Sequence, residues 1–236
     1  MAKIACGKHI IEVLYEDNHI IVVAKPPNAP VQKDDSGDMD MQNAIKAYIK
    51  RKYRKTGDVY LGIVHRLDRP VGGVMVFART SKAAARLSAS IVAGEVTKNY
   101  YAITQTKLPE VKGQLVNLLV KDEKTGTSRV VGKQTAESKE AILNYELKEV
   151  RTGLNLYNIT LLTGRHHQIR AQLANAGAPI WGDQRYAFKI YKPGQQIALF
   201  AHTLAFVHPV KKELMTFSSE FAETYPWSLF KKEKAL

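Results

Sequence analysis

Residues 141–162 read AILNYELKEVRTGLNLYNITLL. Two runs rich in aliphatic and aromatic side chains, Ala141–Val150 and Leu154–Leu162, flank Arg151-Thr152-Gly153, which has the composition of a turn. The reading is a pair of strands, and the pattern continues on both sides. Thr97–Thr104 and Leu115–Val120 read as strands, with a turn-like Asp122–Gly126 after them. Near the start, His9–Leu14 and His19–Ala24 are short apolar runs separated by Glu16-Asp17-Asn18, as in a hairpin. Lys25-Pro26-Pro27-Asn28-Ala29-Pro30 then breaks the pattern, because proline removes ladder donors, and Ser36-Gly37-Asp38 continues a polar loop. Leu61–Val64 reads as a buried edge, and Gly73–Ala78, Ala198–Val207 and Leu214–Phe217 read as further strands.

Helices are few. Met41, Ala44, Ile45, Tyr48 and Ile49 follow the spacing of one helical face, which ends in the basic tract Lys50–Lys55. Thr80 or Ser81 can cap a second helix running to about Ala93, with Gly94 as its terminator. Gly164 precedes a third, predicted from about His166 to Ala176 and closed by Gly177. Strands dominate and strict βαβ alternation is absent. The predicted class is α+β, with a mixed, largely antiparallel sheet flanked by helices and loops.

The chain has 236 residues, 45% of them hydrophobic, enough to bury a core. Lys and Arg outnumber Asp and Glu by 35 to 22, a net charge of +13 that makes a nucleic acid a natural partner. Cys6 is the single cysteine, so neither an intramolecular disulfide nor a cysteine-based metal site is possible. This fits a reducing cytoplasm. No apolar run is long enough to span a membrane, and the N-terminus lacks a signal-peptide core. Walker, dinucleotide-fingerprint, zincin and serine-hydrolase motifs are missing, which favours chemistry done by side chains alone.

Three clusters carry candidate chemistry. His65-Arg66-Leu67-Asp68-Arg69-Pro70 places a carboxylate between two guanidinium groups, where it stays ionised and can act as a nucleophile. A buried Asp–Arg pair closing a loop is the plainer reading of the same residues. In Thr163-Gly164-Arg165-His166-His167-Gln168-Ile169-Arg170, the spacing puts His166, His167 and Arg170 on one helix face. That face can reach a carboxylate in a neighbouring cleft or simply touch phosphate. The two histidines lack an evident third ligand, so no metal is expected. In Lys98-Asn99-Tyr100-Tyr101, strand alternation sends one tyrosine to the core and leaves the other able to stack on a base. Periodicity alone does not say which.

At these clusters the sequence resembles the RluA-type family of RNA pseudouridine synthases. His65–Arg69 looks like that family's catalytic motif, Gly164–Arg170 like its G-R-x-H-Q-[IL]-R motif, and Lys98-x-Tyr100 like its K-x-Y motif. Asp17–Pro26 is similar to its opening strand and turn, with Ala24 in place of the usual Asn, and Gly182-Asp183 and His202–Pro209 to its late segments. The resemblance implies isomerisation of uridine within RNA and no cofactor. It implies Asp68 as nucleophile, Tyr100 stacked on the target base, Arg170 paired with Asp68, and Arg66 filling the space of an everted base. Base eversion is required because the glycosidic bond is inaccessible inside a stacked helix. His65, Arg69, Arg165, His167 and Gln168 are the further expected substrate contacts. The chain departs from the pattern at Val71-Gly72-Gly73, where the family often has Thr-Ser-Gly.

The expectation is therefore one catalytic domain over residues 1–236, without the N-terminal S4 RNA-binding domain that some family members carry. It would act as a cytoplasmic monomer on ribosomal or transfer RNA. Lys50–Lys55, Lys211-Lys212 and Lys231-Lys232 are candidate phosphate contacts. Two other readings compete: a catalytically inactive RNA-binding ribosome-assembly factor, and a basic nuclease using His65, His166 or His167.

Overall fold

The computed structural model describes residues 2–230, so Lys231 and Lys232 lie outside the described residues. In chain order the strands and helices are β1 (Lys3–Cys6), β2 (His9–Glu16), β3 (Ile20–Lys25), α1 (Met41–Lys52), β4 (Gly62–Ile63), β5 (Gly72–Ala78), α2 (Ser81–Val92) and β6 (Thr97–Thr104). There follow β7 (Lys112–Asp122), β8 (Thr127–Val131), β9 (Lys139–Arg151), β10 (Leu154–Leu161), α3 (Gln168–Asn175), β11 (Leu199–Val207), β12 (Leu214–Ser218) and a 3₁₀ turn, Trp227–Phe230. The α+β class is as expected. The sequence reading did not anticipate β1 and β8, which are short and lie at the two ends of the strand order. Contacts divide the chain into two compact units, residues up to Thr97 with Ala201–Glu220, and Lys98–Phe200 with the segment from Phe221 onward.

In the first unit β3 pairs antiparallel with β2 on one side and β5 on the other, in register from Ile20 opposite Ala78 to Lys25 opposite Gly73. Both β3 and β5 are buried along nearly their whole length, so both faces need cover. Ile20, Val22, Val74, Val76 and Ala78 pack with Ala83 and Leu87 of α2. Each Val, Ile or Leu among them contributes about 1.5–3 kcal/mol when fully buried. Helix α2 begins where Thr80 accepts the Ala83 N–H, and α1 where Asp40 accepts the Asn43 N–H at 2.9 Å. The last turn of α1 carries Lys50, Arg51 and Lys52, which complement its dipole. Lys52 also donates to Glu16, which accepts from Tyr48, Tyr53 and Arg79 as well, so this lysine of the basic tract ties α1 to β2.

The Val71-Gly72-Gly73 departure has a packing reason. Val71 is buried, and a Cβ on Gly72 would sit 3.1 Å from the Pro27 ring carbons. Gly73 has φ +126°, and a Cβ there would overlap the Ala201 carbonyl. Only glycine tolerates both the angle and the approach.

In the second unit the strand order is β6, β10, β9, β7, β8, with each neighbour antiparallel. Tyr100, Ile159, Tyr145 and Gly113 form one cross-strand row. A Cβ on Gly113 would lie 2.8 Å from the Tyr145 hydroxyl, so the tyrosine lies over the glycine. Helix α3 covers the sheet through Ala171, against Leu119 and Ala141. It begins at Gln168 rather than His166, because His167 takes a left-handed conformation, φ 51° and ψ 25°, and breaks the helical path. The expected helix face shared by His166, His167 and Arg170 is thus replaced by a turn leading into the helix.

Candidate active site

Asp68 lies half-buried in the loop that enters β5. Its carbonyl accepts the Val71 N–H at 3.0 Å, closing a tight turn, and the Arg69 carbonyl accepts the Asn28 N–H at 2.8 Å. The turn is held from beneath by Lys25, the last residue of β3. The residue is 2% exposed, and its ammonium donates to the carbonyls of Arg69 and Val71 at 2.8 Å each and of Pro26 at 3.2 Å. Burial pushes its pKa down to about 7, opposed by the Asp68 carboxylate and reinforced by the Arg69 guanidinium. From the sequence Lys25 belonged to a pattern break and to the family-like stretch Asp17–Pro26, with no role of its own. The available signal was a lone charge closing an otherwise apolar strand.

The other residues of this motif have distinct places. His65 Nε2 accepts the Val76 N–H at 3.1 Å, which pins the loop to β5 and sets the ring proton on Nδ1 when the imidazole is neutral. Arg66 is exposed. Arg69 turns to the preceding polar loop, donating to Asp34 at 2.8 Å and to Asp38.

In the second unit Tyr100 is buried in the cross-strand row, whereas Tyr101 points to the other face and meets the Phe221 ring edge-on at 6.0 Å. Lys98 shares the Tyr100 face, and burial lowers its pKa. A Cβ on Gly164 would come 3.3 Å from the Lys98 ammonium, and the left-handed backbone angle of this turn belongs to His167. Gln168 organises the turn. It donates to the Ile142 carbonyl, and its own carbonyl accepts from Thr163 Oγ1 at 2.8 Å and the Arg165 N–H at 3.0 Å. Arg165 is exposed and donates through Nε to the Glu140 carbonyl.

Arg170 is buried on α3. Its Nε and Nη2 donate to the two oxygens of Asp183 at 2.8 Å each, a bidentate charge-assisted pair. Its Nη1 lies 3.1 Å from His167 Nε2, and the His166 and His167 rings stack at 3.9 Å. Tyr186 covers the guanidinium, 5.2 Å from the ring centre. From the sequence Asp183 was marked only as part of a late family-like segment, with no role, and Tyr186 was not marked at all. They lie in a loop without periodicity, and only the fold brings them to α3. Among the described residues no group of three or more His, Cys, Asp or Glu is placed to hold a metal. No helix among them is long and apolar enough to cross a membrane.

The fold is that of pseudouridine synthases. The human RNA pseudouridylate synthase domain containing 4 superposes with a TM-score of 0.75 at 20% identity, over 92% of this chain and 91% of that one. The family model for RNA pseudouridylate synthase matches residues 19–175, a span that holds Lys25, the Asp68 loop, Tyr100 and Arg170. An uncharacterized RNA pseudouridine synthase of Bacillus subtilis, YhcT, is 32% identical over 89% of this chain and 68% of its own length. The ribosomal large subunit pseudouridine synthase D of Xylella fastidiosa is 32% identical over 85% of this chain and 63% of its own. The chain spans about two thirds of the length of these relatives. It belongs to the RluA-type family of RNA pseudouridine synthases, a family of isomerases.

Proposed function

We propose that this protein converts uridines of structured RNA to pseudouridine, in ribosomal RNA first and transfer RNA second, with Asp68 as the nucleophile. The observation that carries the reading is the Asp68 loop itself. A half-buried carboxylate sits on a turn whose carbonyls are fixed by a buried ammonium, within the motif that the family match covers. A rigidly held ionised group is what a nucleophile requires. In the reaction the uracil loses its N1–C1′ bond, turns, and bonds through C5 to C1′ as the C5 proton leaves and N1 takes up a proton. Chain length and composition of the RNA are unchanged.

The remaining roles follow the family motifs. Tyr100 stacks on the everted uracil, and Arg170 is the motif residue read as the partner of Asp68. Arg66, exposed at the loop, occupies the gap that the base leaves. His65, Arg69, Arg165, His167 and Gln168 shape or contact the RNA segment. The net charge of +13 supplies phosphate affinity. The ribosomal substrate is favoured by relatives named ribosomal large subunit pseudouridine synthases C and D. We infer a single catalytic module, acting as a monomer in the cytoplasm.

Asp68→Asn tests the reading. It should abolish pseudouridine formation while RNA affinity stays within about 3-fold, because the neutral isostere keeps the contacts and loses the nucleophile. Pseudouridine made by this variant would remove Asp68 from its role. Mapping pseudouridine in total RNA from cells with and without the gene identifies the substrate positions.

A further inference from the structure

The Arg170 guanidinium is clamped by more than one partner. Asp183 is fully buried. Besides the two bonds from Arg170, its Oδ1 lies 3.2 Å from the Arg185 N–H and 3.4 Å from that of Tyr186. These donors fix the carboxylate, and the bidentate pair then fixes the plane of the guanidinium. On the other side, Arg170 Nη1 can only donate, so His167 Nε2 must accept. The His167 proton is therefore on Nδ1, which donates to the Tyr186 hydroxyl at 3.0 Å. The same hydroxyl accepts the Ser128 N–H at 2.7 Å, which anchors it to β8. His167 does this from a left-handed backbone conformation at the helix N-terminus, without a side-chain cap bond. Strain of that kind, of order 1–3 kcal/mol, persists where surrounding contacts impose it.

We propose that Asp183 and His167 are positioning residues for the isomerisation: together they set the direction of the Arg170 guanidinium. This rests on the reading of Arg170 as the partner of Asp68. Three of the five guanidinium protons are directed by these two residues, one edge by Asp183 and one Nη1 proton by His167. The orientation of the other two follows from the same plane. A guanidinium without Asp183 keeps its charge and loses its plane, so binding survives and the chemical step suffers. Asp183 lies beyond the segment matched by the family model. Its assignment comes from this geometry.

The test is single-turnover pseudouridine formation with enzyme in saturating excess, so that the observed rate constant does not depend on the active fraction, together with RNA affinity. Asp183→Asn should slow the step about 100-fold and leave affinity within about 3-fold. Combined with Arg170→Ala, it should cost nothing beyond Arg170→Ala alone, because one residue acts through the other. His167→Ala should slow the step about 10-fold, and His167→Gln, whose amide oxygen accepts the same bond, should restore most of the rate. Both substitutions share the left-handed backbone cost, so their difference reports the bond. Wild-type rates in Asp183→Asn, or losses that multiply with Arg170→Ala, would overturn the proposal. Should Asp183→Asn fail to fold, equal rates for His167→Ala and wild type would overturn it. An inactive Asp68→Asn beside a fully active Asp183→Asn refutes the positioning role alone. An active Asp68→Asn refutes the parent reading and this inference with it.

Discussion

Replacing Lys25 with methionine keeps the length of the side chain and removes the ammonium from beneath the Asp68 turn. Two opposing effects result. The carbonyls of Arg69 and Val71 lose a donor at 2.8 Å, at about 1–3 kcal/mol each. Against this, a pKa of about 7 in place of 10.5 means that holding the charged form costs the fold about 4 kcal/mol at pH 7. The terms are of similar size, so the offset at pH 7 discriminates little. The pH dependence discriminates well. The unfolded chain keeps the Lys25 proton up to about pH 10.5 and the folded chain gives it up near pH 7. Between these values the unfolded state binds more protons, and stability rises with pH. The cost falls to about 2 kcal/mol at pH 9, so wild type should gain about 2 kcal/mol on Lys25→Met between pH 7 and pH 9. Urea unfolding of both proteins at several pH values measures the difference, and titrating groups that do not feel Lys25 cancel, which leaves Cys6 and His9 as the coupled ones. Parallel stability curves would refute the assignment of a depressed pKa to this lysine. The variant should also slow single-turnover isomerisation, by about 10-fold or more, because the turn that carries Asp68 is released.

Further outcomes are expected at the other elements. Gly73→Ala should destabilise the protein by about 3 kcal/mol or more, since a methyl group meets the Ala201 carbonyl at a positive φ; a loss under about 1 kcal/mol in denaturant titration would contradict that packing. Asp40→Ala should cost about 1 kcal/mol through the lost α1 cap, read in the same assay. Arg170→Ala should lower the single-turnover rate strongly and destabilise the fold, because Asp183 is left as a buried charge; a wild-type rate would separate α3 from the chemistry. RNA affinity should fall linearly on a log–log plot against salt, and a flat plot in filter binding would contradict an electrostatic contribution from the +13 charge.

Much of the molecule was legible in its residues. Local alternation marked β2, β3, β5, β9 and β10, because burying one or both faces of a strand leaves a periodic record. Caps and apolar spacing marked α1 and α2 for the same reason. The motifs around Asp68, Tyr100 and Arg170 were legible as strings, and they defined the family. The start of α3 was misplaced by two residues. Helical spacing cannot foresee that His167 adopts a left-handed conformation, from which its ring meets Arg170 and Tyr186.

What tertiary structure alone decided is the support beneath those motifs. Lys25 is 44 residues from Arg69 and 46 from Val71, yet holds both carbonyls. Asp183 reaches Arg170 from a loop with no periodic signal, and Gly73 is obligatory because its φ is positive and β11 passes against it. Arg69 sits beside Asp68 in the chain but turns to Asp34 and Asp38. Sequence records which groups can ionise or donate, since that is a property of each side chain. Which partner takes each proton depends on distances between remote segments, and those exist only once the chain has folded.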